Sequence, residues 1–193
     1  LVDPHYAAFD PVSGEDWRAI EARLMLPPAY KPHEIKRTVG SFAKELERRL
    51  EARRAGKQVG PALFLAFDEL PVIARLAPEA IEQLACILRE GRKVGLYTIG
   101  ATQSMLVKEV GGSSAIRDQY RTAFYVGGDR KSAAALLDIP ERQIDDSVLG
   151  GGIALVRAAG QPTQLVRIPL ATNESIAQLL LTPTAPTSYL GEP

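Results

Sequence analysis

Two adjacent carboxylates follow a continuous apolar run in this sequence. The run Leu63–Phe67 has the composition of a strand buried on both faces of a parallel sheet, and Asp68-Glu69 comes directly after it. In phosphoryl-transfer sites, one acidic residue at such a strand end holds Mg²⁺ and a second can orient and activate the attacking water. A single carboxylate suffices when phosphates and water supply the other oxygens. A strand that simply leaves the core at two acidic residues is the alternative, and this pattern alone leaves both open.

A polar amide follows the next apolar run. Val94–Ala101 is nearly all apolar and is followed by Thr102 and Gln103. The carboxyl ends of parallel strands meet at one edge of a sheet, where ligands bind. We therefore predict that Gln103 lies beside Asp68-Glu69, where it can sense a γ-phosphate or the attacking water. A strand-end residue that caps the following turn is the alternative.

Helical and strand patterns alternate around these residues, which predicts a doubly wound or RecA-like α/β sheet. The predicted helices cover about 16–24, 33–54, 78–91 and 130–137, with a short one after 111–114. A strand end is predicted at 1–5, and strands at 63–67, 94–101, 122–126, 152–156 and 164–168, the last two as a hairpin. We predict a single domain over 1–181 and a Pro/Thr-rich tail over 182–193.

Composition limits the function classes. The 193 residues include 23 basic and 23 acidic ones, so nucleic-acid contacts must come from local clusters and not from the field of the whole molecule. The single cysteine, Cys86, excludes an internal disulfide, and two histidines with one cysteine make no plausible zinc site. A reducing, cytoplasmic compartment fits this composition. The sequence contains no apolar run of about 18 residues and no recognisable signal peptide.

Together these patterns resemble the FtsK/SpoIIIE and HerA class of DNA-pumping ATPases. The resemblance covers about residues 60–157 and rests on Asp68-Glu69, Glu90–Tyr97 leading into Ala101-Thr102-Gln103, Ile116–Phe124, Ser132–Asp138 and Leu149–Val156. It is looser before residue 60, where Leu1–His5 looks like the Asp-Pro-His strand end that follows the P-loop helix in HerA-like and conjugative relatives. The resemblance implies a RecA-like P-loop NTPase core, with a mostly parallel sheet flanked by helices and a C-terminal β-hairpin.

The resemblance also implies roles for individual residues. Asp68 matches the Mg²⁺-associated Walker B residue, Glu69 the catalytic glutamate and Gln103 the polar sensor. Arg92 falls on the basic position that reaches into a neighbouring subunit's site as an arginine finger in relatives, and Arg121 is the second choice for that role. A guanidinium presented in this way stabilises charge on the transferred phosphoryl group. For Arg92, interaction with a helix C-terminus is the alternative.

Loops beyond the sensor strand contact DNA phosphates in the resembled family. Lys108 and Arg117 fall in the first such loop, and Arg130 and Lys131 open the second. These residues would contact the DNA backbone without reading bases, so binding would depend steeply on salt. An ordinary solvated charge pattern is the alternative.

The sequence departs from the family pattern at three places. Ser104 stands where a basic residue usually follows the glutamine, and Asp129 stands near a position that is usually lysine. No Gly-x-x-x-x-Gly-Lys-Ser/Thr P-loop occurs, so the main anion cradle for a triphosphate is missing from this sequence. We expect the P-loop to lie upstream of Leu1 in a longer protein; a degenerate homologue is the alternative.

We therefore predict part of a translocase of double-stranded DNA that uses ATP and Mg²⁺ and whose subunits form a ring, expected to be hexameric. The fragment alone is expected to be inactive because it lacks the P-loop. One alternative is a conjugative-transfer coupling ATPase that docks on a secretion channel, and another is a non-hydrolysing assembly module of the same fold. An unrelated sheet enzyme is disfavoured by the missing nucleophile and metal cluster. Membrane or secretion partners would bind through segments outside this chain, and the parent's anchoring to a membrane is left open.

Overall fold

A parallel sheet carries the predicted carboxylates. The computed structural model describes residues 1–5, 24–112, 114–149 and 151–169, in which strands β1 (Leu63–Asp68) and β2 (Leu96–Ala101) pair in parallel. Val2 forms parallel bridges to Phe67 on one side and to Ala29 on the other. The order across the sheet is therefore Ala29, Val2, β1 and β2, and these segments all end at the same edge.

Three helices contribute to the core on one face of this sheet. They are α1 (Pro32–Arg54), α2 (Leu70–Leu76) and α3 (Pro78–Glu90), and a 3₁₀ turn (Gly91–Val94) leads from α3 towards β2. Each α-helix has a proline in its first turn, where the missing N–H costs nothing. Their apolar residues pack with Leu65 and Phe67 of β1 into one buried cluster.

The opposite face of the parallel sheet is open. Phe64 is 60% exposed and Ile99 is 58% exposed, and the ring of Phe64 stacks on Tyr97 with centroids 5.3 Å apart. The prediction that the β1 strand is buried on both faces is therefore wrong. The apolar run had this appearance because side chains on both faces of the strand are apolar, although helices within the described residues cover only one face.

Arg49 ties α1 to the segments that precede both strands. Its side chain is 2% exposed, and its Nη1 donates to the carbonyl oxygens of Pro61 at 2.7 Å and Val94 at 3.0 Å. Its Nε donates to Glu45 Oε1 at 2.7 Å. In the sequence Arg49 stands among charged residues near the end of α1, yet it is buried, because it donates to the backbone carbonyl groups of two other segments.

A separate antiparallel sheet follows. Its order is β3 (Ala123–Tyr125), β4 (Ile153–Arg157) and β5 (Gln164–Arg167), and α4 (Arg130–Leu137) packs against it in a second apolar cluster. Short 3₁₀ turns lie at Arg117–Gln119, Glu141–Gln143 and Asp146–Val148. The predicted C-terminal hairpin is confirmed as β4–β5. The predicted mostly parallel sheet is wrong for the described residues, because β3–β5 pair antiparallel and separately from β1–β2.

Most predicted elements are present with shifted ends. The helix α2 was not predicted, and Val94 lies in a 3₁₀ turn instead of opening a strand. The predicted helix at 16–24, except for its last residue, and the tail at 182–193 lie outside the described residues. Within the described residues, no helix combines the length and apolar character that crossing a bilayer requires. The fold is α/β.

Candidate functional site

The carboxyl ends of the parallel segments bring acidic and amide groups to one edge. The backbone N–H of Asp68 donates to Val2 O at 3.0 Å, and the N–H of Glu69 donates to Ala101 O at 2.9 Å. These bonds fix Asp68 and Glu69 between the segment that ends at Asp3 and the strand that leads to Gln103. Asp3 is fully buried, and sequence reasoning gave it no role. The sequence feature that could have indicated Asp3 is an acidic residue directly after two apolar ones.

Glu69 occupies an unusual backbone conformation. Its φ is 51° and its ψ is 66°, and among the described residues only Asp138 is another non-glycine residue with positive φ. This left-handed conformation costs an L-residue roughly 1–3 kcal/mol and persists where the surrounding structure holds it. Here the turn from β1 into α2 requires it. The carboxylate of Glu69 is thereby held at the sheet edge and does not cap its own helix.

The ends of β1 and β2 are joined by one hydrogen bond to the Glu69 side chain. The backbone N–H of Gln103 donates to Glu69 Oε1 at 3.1 Å. The predicted proximity of Gln103 to the carboxylates is thus confirmed. The backbone of Gln103 makes this contact, however, whereas its side chain is exposed and has no hydrogen bond within the described residues. Its role as a sensor stays a prediction.

The carboxylates fit a magnesium ion that is held mainly by other ligands. Asp68 is half-buried at the strand end, and its carboxylate has no ion pair or hydrogen bond to any residue the structure describes. The described residues contain no group of three acidic, histidine or cysteine side chains that could hold a metal alone. Mg²⁺ accepts one or two carboxylates when phosphate oxygens and waters complete its octahedron. The donor set therefore suits a magnesium–nucleotide complex and not an isolated structural metal.

The two candidate arginine fingers lie together and apart from the carboxylates. Arg92 and Arg121 line one cleft of about 340 Å³ between the end of α3, the first half of β2 and residues 119–122. Both are exposed, and neither has a hydrogen bond or ion pair within the described parts of the chain. The cleft lies along Leu96–Thr98, the first three residues of β2. The length of that strand puts its first residue roughly 16 Å from the carboxyl edge of the sheet. Arg92 lies in the 3₁₀ turn that directly follows α3, so the alternative of a favourable interaction with a helix C-terminus stays open beside the finger role.

Two further polar groups belong to the surroundings of this cleft. The hydroxyl of Tyr120, which lines the cleft, and the Nε of Arg157 are both buried and lack a partner of full hydrogen-bonding geometry in the described residues. Burial raises the pKa of Tyr120 to about 12, while the Thr98 hydroxyl acts in the opposite direction. Arg157 Nη2 donates to Tyr120 O at 2.9 Å. Sequence reasoning missed both residues, because no local pattern brings a strand-end arginine to a tyrosine 37 positions away.

The first loop offers little free positive charge. Lys108 is exposed, with its Nζ 4.0 Å from a carboxylate oxygen of Glu109. Arg117 is half-buried, and its Nε donates to Asp118 Oδ1 at 3.2 Å. Each predicted DNA contact in this loop therefore has an acidic neighbour.

The second loop is divided between one paired and one unpaired cation. Arg130 Nε donates to Asp146 Oδ2 at 2.7 Å, and Tyr125 donates from its hydroxyl to the other oxygen of the same carboxylate. Lys131 is exposed and makes no ion pair within the described residues. Of the four predicted DNA contacts, Lys131 is the one whose side chain forms no ion pair with a described residue, although the Asp129 carboxylate lies close enough to accept from its backbone N–H.

Several solved structures share this fold at low sequence identity, whereas no family model and no curated protein matches the sequence. The cytoplasmic domain of the type VII secretion ATPase EccC from Thermomonospora curvata gives a TM-score of 0.67 at 15% identity, covering 93% of this chain and 24% of that one. The conjugation coupling protein TcpA of pCW3, in a monomer form with ATPγS, gives 0.66 at 13% identity, covering 92% and 56%. ATPases 2 and 3 of EssC from Geobacillus thermodenitrificans give 0.51 at 16% identity, covering 76% and 30%.

This chain spans about a quarter of the EccC chain and just over half of the TcpA chain. At these identities the likeness concerns the fold. The predicted likeness to ATPase domains is supported for the fold, and membership of the FtsK/SpoIIIE and HerA class stays a prediction. The chain therefore has the α/β fold found in domains of secretion ATPases and of a conjugation coupling protein.

Proposed function

We propose that this chain supplies the hydrolysis carboxylates of an ATP-driven motor that moves double-stranded DNA. The observation that carries the proposal is the hydrogen bond from Gln103 N–H to Glu69 Oε1, which joins the ends of two parallel strands beside Asp68. The likeness to secretion and coupling ATPase domains supports the same reading of the sheet edge. In this proposal the two sheets belong to a RecA-like core, and a P-loop outside this sequence supplies the phosphate cradle.

The chemistry follows from what each group can do at the edge. Magnesium-bound ATP supplies the electrophilic γ-phosphorus and a neutralised leaving group. Asp68 offers unpaired carboxylate oxygens to the ion or to its waters. Glu69 keeps one carboxylate oxygen free of hydrogen bonds from the described residues, so it can accept a hydrogen bond from the attacking water and later its proton. The Gln103 amide N–H fixes the orientation of that carboxylate, and its exposed side chain is available to the γ-phosphate.

Arg92 and Arg121 act on a neighbouring subunit in this proposal. The cleft lies along the first half of β2, away from the carboxyl edge, and two guanidinium groups without a partner in the described residues suit an anion presented by another subunit. Such a role requires a closed ring, which we propose to be a homo-hexamer.

Double-stranded DNA is proposed as the substrate, held by its phosphates. Lys131 is the strongest of the candidate contacts, because its side chain makes no ion pair with a described residue, whereas Lys108, Arg117 and Arg130 each make one. We place the motor on the cytoplasmic side, with any membrane or secretion partner bound by other parts of the protein. A conjugation coupling ATPase is the second candidate, favoured by the likeness to TcpA.

The test replaces Glu69→Gln in the full-length protein. We expect ATP turnover to fall at least about 100-fold, because the carboxylate that accepts the water proton is lost, while ATP binding is retained. Glu82→Gln is the matched control, because Glu82 is exposed on α3 and has no partner in the described residues. Unchanged turnover in the Glu69 variant would contradict the assignment. A wild-type protein that binds no ATP would favour the non-hydrolysing module instead.

A further inference from the structure

The hydroxyl of Ser132 connects two segments that are far apart in the sequence. Ser132 lies in the first turn of α4 and is 6% exposed. Its Oγ donates to Asp129 Oδ2 at 2.5 Å and accepts from the buried backbone N–H of Met105 at 3.0 Å. The Oγ of Ser104 lies 3.2 Å from the Oγ of Ser132, and because the Ser132 proton is directed to Asp129, Ser104 is the donor of that bond.

The loop after β2 is fixed at both of its ends. At its start, Gln103 N–H donates to Glu69 Oε1. Within it, Thr102 Oγ1 donates to Ser104 O at 2.8 Å, and Leu106 N–H donates to Ser104 Oγ at 3.3 Å. At its far end it is held by Ser132. A displacement of Ser132 would therefore be transmitted through only a few residues to the Gln103 amide.

The same network contains two positions where the sequence departs from the family pattern. Ser104 replaces a basic residue and bonds to Ser132, while Asp129 stands near a usual lysine and caps α4 through the N–H groups of Lys131 and Ser132. The Ser132 hydroxyl lowers the pKa of Asp129 below its ordinary value, so this acceptor is ionised at neutral pH. The two departures are thus parts of one hydrogen-bonded unit.

A second serine in the chain shows what helix capping alone looks like. Ser147 donates from its N–H and its hydroxyl to Asp145 Oδ1, at 2.9 and 2.6 Å, as Ser132 does with Asp129. Ser147 is exposed and has no further side-chain partner among the described residues. The contacts of Ser132 with Ser104 and Met105 therefore go beyond what the cap requires.

We propose that Ser132 is a positioning residue that holds the loop Thr102–Leu106, and through it the Gln103 amide, against Glu69. The catalytic consequence rests on the proposed function, whereas the structural consequence does not. Without the Ser132 hydroxyl, the buried Met105 N–H loses its partner, and the loop gains conformations in which Gln103 no longer orients the Glu69 carboxylate.

The test compares Ser132→Ala with Ser147→Ala as the matched control, and adds Ser104→Ala, which leaves the α4 cap untouched. In this chain, we expect amide hydrogen exchange at 103–106 to accelerate about tenfold in the Ser132 variant, less in the Ser104 variant and not in the control. In the full-length protein, we expect kcat for ATP to fall about tenfold in the Ser132 variant while KM stays within about twofold.

The outcomes separate this proposal from the proposed function. Unchanged exchange at 103–106 in both the Ser132 and the Ser104 variants would overturn the positioning role, whatever the turnover. An equal loss of kcat in the Ser147 control would also overturn it, because capping would then explain the effect. If wild-type protein shows no turnover but the loop loosens as expected, the proposed function fails and the loop-holding role stands.

Discussion

Replacing Arg49 by alanine offers the sharpest test of how this fold holds its sheet. The guanidinium makes three hydrogen bonds of 2.7 to 3.0 Å to Glu45, Pro61 and Val94, and its side chain is 2% exposed. Arg48→Ala is a matched control on the same helix, because Arg48 also bonds to Glu45 but is 57% exposed. Each variant removes one arginine that bonds to the Glu45 carboxylate, and the two arginines differ in how deeply they are buried.

The magnitude follows from what each variant leaves behind. Removing one partner of a buried ionic group costs about 3–5 kcal/mol, and the lower end applies to Arg49 because Glu45 is 24% exposed and keeps Arg48. We therefore expect a loss of about 3 kcal/mol in the free energy of unfolding. The exposed Arg48 should contribute below about 1 kcal/mol. For a domain stabilised by about 5–15 kcal/mol, the first loss is severe and the second is minor.

Urea unfolding followed by circular dichroism measures both variants. A difference of less than about 1 kcal/mol between them would refute the argument that burial makes Arg49 the stronger contact.

Unfolding measured as a function of acid pH gives a second test of the same contact. Hydrogen bonding by Arg48, followed by that of Arg49, lowers the pKa of Glu45 from 4.5 to about 2. The ionised Glu45 with its two arginines stabilises the fold above about pH 4.5, and this stabilisation is lost as pH falls towards 2. Arg49→Ala should therefore weaken the decrease of stability in acid without abolishing it, because Arg48 remains.

Three other substitutions follow from close contacts and burial. Gly100→Ala should destabilise the fold by about 1–3 kcal/mol, because the added Cβ would lie 2.5 Å from the ring of Phe67. Gly40→Ala in α1 would make only ordinary contacts and should stabilise the fold by about 0.5–1 kcal/mol. Equal effects of the two substitutions in urea unfolding would contradict this. Tyr120→Phe should leave the free energy of unfolding unchanged or raised at neutral pH, because its buried hydroxyl has no well-formed hydrogen bond to the part of the chain that the structure describes. Folding raises the pKa of Tyr120 from 10.0 to about 12, so wild-type protein loses stability as pH rises across that interval, because the unfolded state ionises first. The Tyr120→Phe variant should lose less stability over the same interval. An identical alkaline loss in both proteins would count against this.

The sequence by itself determined the order of elements and the edge where the acidic residues lie. Apolar runs that end in polar residues predicted β1 and β2, and parallel strands necessarily present their carboxyl ends together. The proximity of Gln103 to Glu69 followed from that rule. The helix at Arg130–Leu137 was predicted with its observed bounds, and the structure shows that Asp129 caps it by accepting from two backbone N–H groups.

Tertiary structure alone decided which side chains are covered and which distant ones meet. Phe64 looks like a core residue and is exposed, and Arg49 looks solvated and is buried. Arg92 and Arg121 share a cleft only because the chain returns past β2 before the second sheet begins. Ser132 reaches Met105 across 27 positions. The physical reason is the same in each case: local pattern records the preference of a residue, whereas burial and long-range hydrogen bonding depend on which other segments arrive at the same place.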